Sequence, residues 1–136
     1  MGIKPKKGDP GKHLKPTEDK VFPATFYNYP IFCLRFLHKD YHIDKCEKDQ
    51  KVCLLDQMHK LSTTNWQMLS QSHKHGMGFE KIALDNIKPS MPSHITPDVT
   101  MYAFRFDGKK PFVGYRNSFI FHILYIDRDF TVYNHG

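Results

Sequence analysis

TMYAFRFDGKKPFVGYRNSFIFHILYID, residues 100 to 127, is the stretch that decides the fold of this chain. It divides into apolar and aromatic segments separated by turn residues: Thr100 to Phe106, Phe112 to Arg116 and Phe119 to Asp127. Short turns between segments of this composition predict an antiparallel meander. Phe130 to Asn134 predicts one more strand at the edge of the sheet.

The residues before the meander change from strand to helix patterns. Ile31 to Leu37 is apolar on both sides and predicts an internal strand. Asp44, followed three residues later by Glu47, predicts the capped start of a helix running from about Lys45 to about Lys60.

A second helix is predicted from Ser62-Thr63-Thr64 to the glycines Gly76 and Gly78, and it would pair with the first as a hairpin. Phe79 to Ile87 predicts another strand, and the segment that follows it, residues 88 to 98, is a proline-rich loop.

A strand, two helices and then a run of strands predict a single α+β domain, in the order β-α-α-β-β-β with an optional last strand. The helix hairpin would pack on one face of an antiparallel sheet. This domain is expected to span residues 21–136. Residues 1–20 are rich in lysine and nearly free of apolar side chains, and they predict a flexible basic arm.

Composition limits the partners and the compartment. The chain has 136 residues, a net charge of +6 and nine histidines, which favours an anionic partner such as nucleic acid. Cys33, Cys46 and Cys53 lack paired spacing, so they indicate reduced core residues rather than disulfides or a zinc site. No stretch approaches the ~18 apolar residues of a membrane span. We therefore expect a cytoplasmic protein with no membrane partner.

The sequence lacks the P-loop, G-x-G-x-x-G, G-x-S-x-G and H-E-x-x-H motifs. Nucleotide-driven chemistry and serine-hydrolase chemistry are therefore disfavoured. His73 and His75, with His94 and His38 as further ligands, would be the candidates for a metal site. Two histidines at that spacing point in different directions around a helix, so no metal or other cofactor is predicted.

The last long strand is predicted to alternate between two faces of the sheet. Phe119, Phe121, Ile123 and Tyr125 would share one face, and Ile120, His122, Leu124 and Ile126 the other. Across neighbouring strands, Arg105, Arg116, His122 and Tyr125 could then approach one another.

Histidine, arginine and tyrosine together are the side chains that cleave a phosphodiester without a metal. His122 or His135 would act as base or acid, because imidazole titrates near neutral pH, and arginines would stabilise the transition state. The alternative for His122 is a structural role, since a histidine between Ile120 and Leu124 is commonly a hydrogen-bonded core residue.

The order of elements, Gly114-Tyr115-Arg116 leading into an apolar strand, and the late Tyr133 and His135 together resemble the RelE-like toxins, small ribonucleases of bacterial toxin-antitoxin pairs. The resemblance implies metal-independent cleavage of RNA, often on the ribosome, and a small antitoxin protein as partner. The candidate catalytic residues are His122, Arg105, Arg116, Tyr125 and His135. The candidate RNA-binding residues are Tyr115, Arg128, Tyr133, Lys109 and Lys110.

Two other functions fit the same sequence. A non-catalytic basic module would bind nucleic acid through aromatic stacking and phosphate contacts. A phage or mobile-element factor would dock on a host protein by strand addition at the Phe130 to Asn134 edge.

Overall fold

The structure is a computed structural model that describes residues 23–71 and 79–134. The predicted basic arm at residues 1–20, the histidines His73 and His75, and the catalytic candidate His135 lie outside the described residues. Within the described part of the chain, no helix is both long enough and apolar enough to cross a membrane.

The described residues form a single α+β domain, as predicted. The strands are β1 (Ile31–Cys33), β2 (Glu80–Ile82), β3 (Met101–Asp107), β4 (Lys110–Asn117) and β5 (Ile120–Ile126). The helices are α1 (Lys48–Ser62) and α2 (Trp66–Gln71), and short 3-10 turns form at Ala24–Asn28, Ile43–Lys45 and Leu84–Asn86.

The five strands form one sheet in the order β1-β5-β4-β3-β2. The predicted meander is present, because β2, β3, β4 and β5 pair antiparallel in turn. The sheet is mixed rather than wholly antiparallel, since β1 runs parallel to β5 and pairs Cys33 with His122. β1 is an edge strand, so the prediction of an internal strand was wrong. Ile31 is 39% exposed, which shows that an apolar sequence in this strand does not mean that its side chains are buried.

Both helices cover the same face of the sheet, which we call the helix side. Leu54 and Leu61 of α1 and Trp66 and Leu69 of α2 are buried there. They pack on an aromatic layer from β1, β3, β4 and β5, in which the Phe32 ring lies 5.9 to 6.2 Å from the rings of Phe104, Phe112 and Phe121. These edge-to-face contacts add to the stabilisation that burial of the rings provides.

The helix boundaries differ from those predicted because a different residue caps α1. The Asp44 position lies within the 3-10 turn that His42 caps, so it does not start the helix. The capping box instead consists of Glu47 and Gln50, with the Glu47 backbone N–H donating to Gln50 Oε1 at 2.8 Å. The helix therefore begins at Lys48, three residues after the predicted start at about Lys45.

Irregular chain, rather than helix, covers the opposite face, which we call the loop side. Side chains from the 84–99 segment and from the C-terminal segment pack there on Met101, Val113 and Tyr125.

The predicted strand at Phe130 to Asn134 does not form. Fully buried Asp127 instead accepts hydrogen bonds from the backbone N–H groups of Thr131 (2.8 Å) and Val132 (3.0 Å), which turns the chain back onto the sheet.

A β-bulge between Val113 and Gly114 of β4 interrupts the alternation of β5. Val113 pairs with Tyr125 and Gly114 pairs with Ile123, so Leu124 is the extra residue. Beyond the bulge the faces exchange: Tyr125 joins His122 on the loop side, and Ile126 packs with the helix-side core. The predicted face assignment is therefore correct up to Ile123 and reversed after Leu124.

Gly114 is required at the bulge because the two backbones approach too closely for a side chain. A Cβ atom there would lie 1.9 Å from the carbonyl oxygen of His122. We expect Gly114→Ala to lower the free energy of unfolding by about 3 kcal/mol or more, because the obstacle is backbone that cannot move aside. Urea denaturation followed by circular dichroism measures this loss.

Gly108→Ala is the matched control. Gly108 has φ +60°, but no atom of the described residues lies within 4 Å of the added Cβ. It should cost only about 1 kcal/mol, from the left-handed backbone alone. Equal losses in the two variants would show that the close approach at Gly114 is not a constraint on the fold.

Candidate active site

Three ring side chains meet on the loop side, and we call them the His94–Tyr115–His122 cluster. The rings of Tyr115 and His122 stack with their centroids 4.8 Å apart and an interplanar angle of 22°. His94 Nε2 lies 2.7 Å from the hydroxyl oxygen of Tyr115. Phe36 closes the group, with its ring 4.5 Å from that of His94 and 5.8 Å from that of His122.

The sheet positions two of these residues directly. Tyr115 of β4 and His122 of β5 are paired in register, so their side chains project together from the loop side. Cys33 of β1 is the register partner of His122 on its other side. The extra residue of the bulge, Leu124, comes after His122 in β5. His122 therefore keeps the predicted alternation and lies on the loop side with Tyr115.

The proline-rich loop brings the third residue, His94. Three hydrogen bonds hold the loop and the residues leading into it on the sheet: Lys88 N–H to Val132 O (2.8 Å), Tyr125 hydroxyl to Ser90 O (3.0 Å), and His38 Nε2 with Ser90 Oγ (3.1 Å). The loop therefore follows a defined course, and His94 is held over Tyr115.

Burial sets the electrostatics of the cluster. His122 Nδ1 is buried and has no hydrogen-bond partner within residues 23–71 and 79–134. Burial, reinforced by His94 and Arg35, lowers the pKa of His122 below its ordinary value, which favours the neutral imidazole. Burial, and to a smaller extent Cys33, raises the pKa of Tyr115, which keeps its hydroxyl protonated.

His94 and Tyr115 open onto a cleft of about 600 Å³, which we call the Tyr115 cleft. Thr100, Asn117 and Ser118 line its walls, and Arg116 lies at its rim. His122 stacks behind Tyr115 and is partly exposed. The cleft lining thus combines a hydrogen-bonded histidine–tyrosine pair, in which Tyr115 is 9% exposed, with one cation, Arg116, and one carboxylate, Asp98.

Arg116 points to the helix side but reaches this rim. Its guanidinium carbon lies 4.1 Å from the centroid of the Trp66 ring, and its Nε donates to the Ser118 carbonyl at 2.6 Å. Arg105 does not join it. Arg105 Nη2 lies 4.0 Å from Glu80 Oε1, and its register partner Pro111 is about 13 Å along β4 from Tyr115.

The remaining candidates have structural contacts or lie elsewhere. Tyr125 and Tyr133 are buried, and burial raises the pKa of each to about 12. Arg128 Nη1 donates to the Lys45 carbonyl and lies 3.5 Å from Glu47 Oε2, which fixes the start of α1. Lys109 lies in the β3–β4 turn and Lys110 is the first residue of β4, so both are at the opposite end of β4 from Tyr115.

The structure therefore brings Tyr115, Arg116 and His122 to one end of the sheet and leaves the other described candidates apart. Sequence reasoning considered His94 only as a metal ligand, since nothing in a loop flanked by prolines reveals where it folds. In residues 23–71 and 79–134, no three His, Cys, Asp or Glu side chains are grouped as metal ligands.

Comparisons of the chain with protein-family models, with curated proteins and with solved structures find no match.

The lowered pKa of His122 has a measurable consequence for stability. The unfolded chain binds a proton at His122 below pH ~6.5, where the folded protein binds fewer, so the unfolding free energy falls as the pH drops through that value. Above pH ~6.5 His122 is neutral in both the folded and the unfolded protein, so it causes no loss of unfolding free energy there. We expect His122→Phe, which keeps a ring beside Tyr115, to lose less stability than the wild type between about pH 7.5 and 5.5.

Urea denaturation of both proteins at the two pH values measures the difference. All other histidines are common to the two chains, so only His122 contributes to it. An identical loss of stability in both proteins would contradict the lowered pKa.

Proposed function

We propose that this protein is an endoribonuclease that cleaves RNA without a metal ion, by acid/base chemistry at the His94–Tyr115–His122 cluster. The observation that carries the proposal is the 2.7 Å contact between His94 Nε2 and the Tyr115 hydroxyl oxygen. Both residues line the Tyr115 cleft, and the cation Arg116 lies at the rim of the same cleft. An imidazole that is hydrogen-bonded to a hydroxyl group can relay a proton between that hydroxyl and a substrate.

In the proposed reaction, a ribose 2′-hydroxyl in the Tyr115 cleft gives its proton to the Tyr115 oxygen as the tyrosine proton passes to His94 Nε2. The 2′-oxygen then attacks the adjacent phosphorus, and the bond from phosphorus to the 5′-oxygen breaks. The departing 5′-oxygen, on the far side of the phosphorus, takes a proton from water, and the protonated His94 then releases its proton to solvent. The products are a 2′,3′-cyclic phosphate and a 5′-hydroxyl.

The raised pKa of Tyr115 suits this role, because a hydroxyl that stays protonated passes a proton on without accumulating as phenolate. Arg116 at the rim supplies the positive charge that the pentacovalent phosphate requires. His122 serves as a neutral support, since its ring stacks on Tyr115 and fixes the angle of the phenol.

The partners follow from the same proposal. The net charge of +6 favours RNA over a neutral ligand. The observed order of one strand, two helices and four strands is the order on which the resemblance to RelE-like toxins rests. We therefore extend the proposal to RNA on the ribosome as a substrate and to a small antitoxin protein as a partner.

Tyr115→Phe is the sharpest test of the mechanism. It removes the relay hydroxyl but keeps the ring that stacks on His122, so the fold should be unchanged. We expect Tyr115→Phe and His94→Ala each to lower the rate of RNA cleavage about 100-fold or more, in buffer containing EDTA. Cleavage of a labelled RNA and mapping of its 5′-hydroxyl and cyclic phosphate ends give the readout.

His59→Ala is the matched control, because His59 is exposed in the last turn of α1, on the helix side. It should cleave at the wild-type rate. If EDTA-treated wild type leaves both free and ribosome-bound RNA intact, the enzyme proposal fails. Salt-sensitive RNA binding without cleavage would then point to the non-catalytic binding module.

A further inference from the structure

A second cavity lies on the helix side of the β4–β5 turn, and we call it the Trp66 pocket. Its volume is about 350 Å³, at the lower end of the range of about 300–1,000 Å³ for small-molecule sites. The residues that line this pocket with aromatic, amide or guanidinium groups are Tyr27, Asn28, Asn65, Trp66, Gln67 and Arg116. None of them belongs to the His94–Tyr115–His122 cluster.

Arg116 is held in the Trp66 pocket in a fixed orientation. The Trp66 ring supports one side of its guanidinium at 4.1 Å, and Ser118 O accepts from its Nε at 2.6 Å. Trp66 is fixed in turn, since it is 4% exposed and its Nε1 donates to the Phe119 carbonyl at 3.2 Å. The terminal Nη groups of Arg116 have no carboxylate partner among the described residues, so they are available to an anion.

Three carboxamides surround this cation. Asn65 Oδ1 accepts from the Met68 N–H at 2.8 Å, which leaves its NH₂ group as a donor. Asn28 and Gln67 are exposed, and no hydrogen bond engages their amides within the described part of the chain. Each of these two amides offers both donors and an acceptor.

An aromatic side chain completes the pocket. The Tyr27 ring is partly buried and packs at an angle on Phe119, with their centroids 4.8 Å apart. Stacking on an aromatic ring, hydrogen bonds from amides and an unpaired arginine are the three contacts by which proteins hold a single unstacked nucleotide. The small volume favours one nucleotide over a longer segment.

We propose that the Trp66 pocket is a nucleobase-binding subsite, which receives the nucleotide next to the phosphodiester cleaved at the His94–Tyr115–His122 cluster. This inference rests on the proposed function. Arg116 connects the two sites because it lines both the Trp66 pocket and the rim of the Tyr115 cleft. One RNA strand can therefore cross the β4–β5 turn, with its phosphate on Arg116 and its base against Tyr27 and the amides.

The subsite also predicts sequence preference. Asn and Gln amides distinguish bases by the donors and acceptors on their edges, whereas phosphate contacts do not. Cleavage should therefore depend on the base that occupies the pocket, and Gln67→Ala should reduce that dependence without abolishing cleavage.

The chain carries its own probe for this test, because Trp66 is the single tryptophan. We expect AMP, GMP, CMP and UMP to change the Trp66 emission saturably and with different affinities. Arg116→Lys keeps the charge but loses the planar guanidinium, so it should weaken mononucleotide binding about tenfold. Gln67→Ala should make the four affinities converge, whereas Gln71→Ala, an exposed control at the end of α2, should leave them unchanged.

The outcomes separate this inference from the proposed function. Binding of mononucleotides by a protein that does not cleave RNA supports the subsite and overturns the enzyme. Cleavage with no mononucleotide binding, and with the same sequence preference in wild type and Gln67→Ala, overturns the subsite alone. Inorganic phosphate that binds as tightly as the mononucleotides would also overturn the subsite, since the base would then contribute nothing.

Discussion

The close approach of Gly114 to the His122 carbonyl is the constraint on which the rest of the loop side depends. A Cβ on Gly114 would overlap that oxygen at 1.9 Å, so only glycine permits β4 and β5 to pair through the bulge. The bulge rotates Tyr125 onto the loop side, where its hydroxyl reaches Ser90 and holds the start of the proline-rich loop. The same loop carries His94 to Tyr115, so a backbone contact in the sheet determines where a loop histidine lies.

Polar side chains are buried on the loop side. Irregular chain, unlike a helix, does not pair all of its own backbone N–H and C=O groups, so side chains must form hydrogen bonds with them. Asp127 and Tyr125 meet this requirement by bonding backbone groups of the segments that cover them. His122 Nδ1 does not, since it is buried and the part of the chain that the structure describes offers it no hydrogen bond. A buried polar atom without a partner costs stability, and such costs concentrate at functional sites.

The sequence predicted the α+β class and the meander because period-two patterns and turn residues are local signals. It could not predict the parallel pairing of β1, which joins residues about 90 positions apart through no local pattern. The prediction of a strand at Phe130 to Asn134 was wrong for a related reason: buried Asp127 turns this segment back onto the sheet, where Tyr133 is buried. For the site, alternation along the strands allowed Arg116 and His122 to be expected close together, whereas the pairing of Tyr115 with His122 depends on a register that the sequence does not give. His94 was not predictable, since its position depends on where a loop is held.

The β4–β5 turn joins the two faces of the sheet at this site. Ser118 has φ +60°, an unusual value for a residue other than glycine, and it is the first of two residues between the paired Asn117 and Ile120. Its carbonyl accepts from Arg116, which braces the turn from the helix side. Successive residues of a strand face opposite ways, so Tyr115 and Arg116 belong to different faces. Because the strand ends there, a ligand can contact both side chains by crossing the turn, which an interior position of the sheet would prevent.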